Sequence, residues 1–147
     1  MRMAAMKVIR KLRGVAAVEF AILLVPLVIM TFGMTELGRA FYYYNGLLKS
    51  ARDASRYLSM HSRGEGEAQA RCLAVHGKAV CTGDAVVPGI TTGMVQISYE
   101  SGVETGHGAI DLVRVTITEF PFSSLVPLVV TDMVFGPISS TMRQGSS

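Results

Sequence analysis

The 147 residues suffice for one ordinary domain and fall short of two well-packed ones. Half of them are hydrophobic and 17% are charged, which excludes a disordered chain and is high for a soluble domain of this size. The net charge of +3 does not describe a nucleic-acid surface: Arg2, Lys7, Arg10, Lys11 and Arg13 all precede Gly14 with no acidic residue among them, and without these five the remainder carries nine basic against eleven acidic residues.

The basic head, residues 1–14, leads directly into an apolar segment. Val15 to Thr35 contains a single charge, Glu19, and as a helix it spans ~30 Å, enough for a bilayer core. Five positive charges stand before it and mixed charges follow (Glu36, Arg39, Lys49, Arg52, Asp53, Arg56). The positive-inside bias therefore puts the leader in the cytoplasm, a transmembrane helix at 15–36, and the rest of the chain on the far side of the membrane. Phe41, Tyr42, Tyr43 and Tyr44 fall where an outer aromatic belt would lie, and Glu36 falls near the outer end of the span, within reach of water. A cleaved secretory signal has the same charge-then-apolar layout, but this run is long for one and no A-x-A-like site follows it.

Glu19 needs a reason, because a carboxylate inside an apolar helix is costly and usually marks a partner. The run Arg13-Gly14-Val15-Ala16-Ala17-Val18-Glu19-Phe20 resembles a prepilin peptidase site, in which the cut falls after the Gly. The resemblance implies that Val15 becomes the mature N-terminus and Glu19 its fifth residue. Cleavage would create an α-amino cation at Val15, and Glu19 of a neighbouring subunit is a suitable counter-ion in low dielectric.

The same stretch with Pro26, then Glu36-Leu37-Gly38-Arg39, and then Ala51-Arg52-Asp53-Ala54-Ser55-Arg56-Tyr57, looks like the TadE family of pseudopilins. The resemblance implies a minor component of the Tad (Flp) tight-adherence pilus machinery, residing in the bacterial inner membrane and possessing no enzymatic activity. It implies as partners a prepilin peptidase and the other pilins and pseudopilins of the machinery. The match covers about 13–58; beyond that it is one of layout only. The Ala-Val-Glu-Phe core differs from the Phe-Thr-Leu-Ile-Glu style of general secretion pseudopilins, and a major Flp pilin would be far shorter.

The helix is expected to run from about Val15 to Leu58, with 37–60 an extracytoplasmic extension. Leu47, Ala51, Ala54 and Leu58 recur at helical spacing as one stripe, best explained by packing on the C-terminal part. Pro26 removes the hydrogen bond to the Ile22 carbonyl and predicts a kink. Gly64 and Gly66 mark a linker.

Residues 61–147 read as a small α+β domain, so the fold class is α+β: a long transmembrane helix leading into a short antiparallel sheet, as in pilins. Glu65–Val75 predicts a short helix with Ala68, Cys72 and Val75 on one face. Met94–Glu100 and Asp111–Phe120 alternate apolar and polar residues and form a hairpin across the glycine-rich 101–108. Leu125–Phe135 is apolar but too short to cross a bilayer, and is expected to be a short helix on the sheet. Ile138–Arg143 either adds a third strand or trails off.

Candidate chemistry is sparse. Cys72 and Cys81, outside the cytoplasm, predict a disulfide closing a ten-residue loop. The alternative is a metal held by Cys72, His76 and Cys81 with His61 or His107, but the spacing lacks the tight pairs of structural zinc sites. No nucleophile elbow, H-E-x-x-H, phosphate loop or catalytic carboxylate pair is present, and no cofactor is implied. The competing function is a membrane-anchored periplasmic binding or enzymatic domain in which the spacing from Gly14 to Glu19 is accidental.

Overall fold

A computed structural model describes residues 2–127 and 131–145, with side chains from Gly14 onward. The chain forms two compact units, Met1–Gly38 with Ser124–Thr131, and Arg39–Ser123 with Asp132–Ser147.

Helix α1 runs from Arg2 to Ser59. Its start is a correction to the expected beginning at Val15: the leader is helical too. Its Met, Ala, Lys, Arg and Leu residues are good helix formers, and no Gly or Pro occurs before Gly14. The boundary at Gly14 is therefore one of charge, not of secondary structure. The helix also continues through Pro26. It ends one residue past Leu58, where the His61 amide donates to the Leu58 carbonyl at 3.1 Å, and Gly64 and Gly66 then take left-handed φ values of 82° and 76°.

In the second unit the expected stripe is the core face of α1: Leu47, Ala51, Ala54 and Leu58 are all fully buried. Gly46 lets the chain at Val87 approach, since a Cβ there would stand 2.7 Å from the Val87 Cγ2. Helix α2, Glu67–His76, buries Ala70, Ala74 and Val75. The expected face of Ala68, Cys72 and Val75 is thus corrected: Ala68 is exposed, and Cys72 turns toward the following loop, where its disulfide partner lies.

The main sheet has the order β1-β2-β5, antiparallel throughout: β1 Val95–Glu104, β2 Ala109–Ile117 and β5 Ile138–Arg143. The alternation holds, with Val95, Val113, Val115 and Ile117 buried. Register puts Tyr99 opposite Val113, and Val113 opposite Met142. A bulge between Glu100 and Val103 lets β1 run further than expected, so the hairpin connection shrinks to 105–108. Residues 138–143 are a strand, which settles the alternative left by the sequence.

Two expectations fail between β2 and β5. The second strand does not reach Phe120, because Glu119 adopts φ 57° and interrupts it after Ile117. Nor is Leu125–Phe135 a helix: Met133–Phe135 is strand β4, paired antiparallel with β3, Phe120–Phe122, while residues 125–127 are non-helical and 128–130 lie outside the described residues. The physical reason is aromatic. Phe120 and Phe122 both point inward from alternate positions and stack on Phe135 at 5.8 and 5.6 Å between ring centroids. Pro121 is tolerated between them because this two-stranded ribbon is all edge.

Candidate functional site

Of the sequence-predicted site residues, the first unit carries Gly14, Val15, Glu19 and Pro26, and the second carries Cys72 and Cys81. Side chains from Val15 to Thr35 are almost all exposed, although the segment is apolar. Gly14–Ser59 contains the one described helix long and apolar enough, by length and composition, to cross a membrane. The two threonine hydroxyls inside the apolar run are satisfied locally: Thr31 Oγ1 donates to the Leu27 carbonyl at 2.8 Å and Thr35 Oγ1 to the Thr31 carbonyl at 3.0 Å. Such bonding suits hydrocarbon surroundings, where no water is at hand.

Gly14, Val15, Val18, Glu19 and Ile22 lie on one open face. Among the described residues, nothing stands within 4 Å of a Cβ built on Gly14. Packing against the described residues therefore gives no reason for glycine there, and an exposed helix interior would gain about 1 kcal/mol from Ala. Glu19 is exposed, and among the described residues it has no hydrogen-bond or ionic partner. Val15 and Glu19 are four positions apart, ~6 Å along the axis, so both can be offered to a neighbouring helix from one side.

Glu36 is a correction. Expected in water, it is only 2% exposed. Its Oε2 accepts hydrogen bonds from the Ser124 hydroxyl at 3.0 Å and from the Leu125 amide at 3.2 Å, while the Val126 amide donates to Ser124 Oγ at 3.1 Å. No local signal announced this, because the partners are almost ninety residues away in sequence.

In the second unit, Tyr43 is half-buried and Tyr44 is exposed. Tyr43 packs edge-on against Phe120 and Phe122, and Tyr44 against Phe135, while Phe41 and Tyr42 remain exposed. The Arg39 guanidinium lies 4.6 Å from the Phe122 ring centroid and donates to the Ser123 carbonyl. Cys72 and Cys81 are joined in a disulfide, so their sulfurs are not available as metal ligands. His76 Nδ1 is 2.9 Å from the Gly83 carbonyl oxygen, and no cluster able to hold a metal ion occurs among the described residues.

A polar cleft at the sheet is lined by Arg63, Tyr99, Ser101, Asp111 and Gln144. Burial pushes the Tyr99 phenol above its ordinary value of 10.0, against the opposing hydrogen bond from the Gly64 amide. Arg63 donates to Ser101 Oγ and lies over the Tyr99 ring, and the Gly102 amide donates to Asp111. These groups satisfy one another, and no nucleophile–base pair is formed by them.

Fold and site together define a small α+β protein with an N-terminal apolar helix suited to membrane anchoring. Residues 14–56 match the family described as TadE-like protein, which begins at Gly14 and takes in Glu19, Pro26 and Glu36. The match covers under a third of the chain and none of the sheet. Neither the curated proteins nor the solved structures give a match.

Proposed function

We propose that this protein is a minor pseudopilin of a Tad/Flp machinery, cut between Gly14 and Val15 by a prepilin peptidase and built into a pilus or its assembly complex for adherence or secretion. It is a single-pass protein of the bacterial inner membrane, with residues 1–14 cytoplasmic and the disulfide-bearing domain periplasmic. The carrying observation is the coincidence at Gly14: the family match begins there, and among the described residues nothing stands within 4 Å of a Cβ built on it. The disulfide agrees with an oxidising compartment.

In this reading the exposed Glu19 carboxylate receives the new α-amino cation of a neighbour's Val15 as subunits come together. Glu19→Gln keeps the shape and removes the charge, so the variant inserts normally. Assembly then fails, since a desolvated cation without its partner costs on the order of 3–5 kcal/mol. Co-purification with other pilus components, at matched membrane levels, should be lost in the variant. Normal co-assembly of Glu19→Gln would reject the pairing.

A further inference from the structure

We infer that the chain at Leu125 is a second membrane contact that sits in the outer leaflet at the boundary between acyl chains and headgroups. The inference rests on the reading of Val15–Thr35 as a membrane span. With Val15 at the inner boundary, Glu36 is 21 residues further on, ~32 Å along the helix, at the outer edge of a hydrocarbon core of ~30 Å. The Glu36 carboxylate holds the Ser124 hydroxyl and the Leu125 amide, so Leu125 is fixed at that same level.

Leu125 is nevertheless 74% exposed. Leu125 is held in place by a partly buried hydrogen bond and left uncovered by its own unit. The sequence around it suits lipid, since Phe120 to Thr131 carries no charge, while Glu119 and Asp132 bracket the stretch. The same unit presents an apolar helix surface that is exposed up to Leu37. The acyl chains that cover Met34 and Leu37 would therefore cover Leu125 as well. The arrangement also accounts for Glu36: the chain at Ser124 and Leu125 shields and hydrogen-bonds a carboxylate that would otherwise face lipid. Such a contact would restrict rotation of the helix about its own axis, which a single span leaves free.

The test uses the absence of tryptophan from the chain. Leu125→Trp and, as a separate single-tryptophan reporter in mid-span, Ile29→Trp are made in the full chain and reconstituted in phosphatidylcholine/phosphatidylglycerol vesicles. Emission is quenched by brominated acyl chains or, from water, by acrylamide. The inference predicts that Leu125→Trp loses most of its emission to lipid brominated high on the acyl chain and is protected from acrylamide, at a depth just below the headgroups. Ready quenching by acrylamide alone overturns it, and so does protection from both quenchers, which would mean a covering of protein such as a second copy. Ile29→Trp separates the two readings: if it is quenched by brominated lipid while Leu125→Trp is not, the span stands and this inference falls. If neither is quenched by lipid, the span itself is rejected.

Discussion

Replacing Glu36 by alanine should release the chain at Ser124 and Leu125 without unfolding the sheet domain. The carboxylate accepts hydrogen bonds from the Leu125 amide at 3.2 Å and the Ser124 hydroxyl at 3.0 Å. A donor left unsatisfied in a buried place costs about 1–3 kcal/mol, and Ser124 is only partly buried, so the lower half of that range applies to each. The sum for these two donors is about 2–4 kcal/mol of local stability, which corresponds to a roughly 30- to 700-fold faster exchange of the Leu125 amide hydrogen if exchange follows local opening. Glu36→Gln keeps an oxygen acceptor and loses only the charge assistance, so its effect should be about tenfold. The assay is amide exchange by NMR in detergent micelles, with the Val115 amide in the central strand as internal reference. Unchanged Leu125 exchange in Glu36→Ala would refute the reasoning. Equal acceleration at Val115 would refute its locality.

Gly46→Ala should destabilise the second unit, because overpacking against Val87 costs about 1–3 kcal/mol and exceeds the gain of up to ~1 kcal/mol in helix propensity. Thermal unfolding of Gly46→Ala should shift down by several degrees and recover in the double variant with Val87→Ala; no shift would contradict the close approach. Alkylation without reductant should leave Cys72 and Cys81 unmodified, and replacing both by Ser should cost about 2.5–3 kcal/mol on the chain-entropy view of a ten-residue loop. Quantitative labelling of both thiols in protein taken from the periplasmic side would reject the disulfide there.

Period and alternation carried the parts of the fold that were legible in sequence. The stripe from Leu47 to Leu58 and the alternating Val113, Val115 and Ile117 are local patterns, and the buried face follows from them directly. The face of α2 was misread because alanine is nearly neutral in pattern: Ala70 and Ala74 are chosen for close approach, and Cys72 is turned by its disulfide. The ribbon of β3 and β4 was missed because its strands are three residues long and held by stacking of Phe135 on Phe120 and Phe122, which no local window contains. Glu36 was misplaced for a similar reason. Its charge suggested water, and only the fold brings Ser124 and Leu125 to it. The expectations for the leader, Gly14 and Glu19 rest on charge and spacing along a single helix and involve no tertiary contact.

The central claim is that Gly14 is read by a peptidase. Gly14→Ala meets open space in the fold, so any effect it has on maturation reports on recognition by another protein and not on folding. The most direct measurement is the intact mass of the wild-type protein extracted from membranes of a strain with an active prepilin peptidase. The account predicts a chain that begins at Val15, shorter by residues 1–14, and the uncut chain in the same strain lacking the peptidase. A full-length chain in both strains would contradict it.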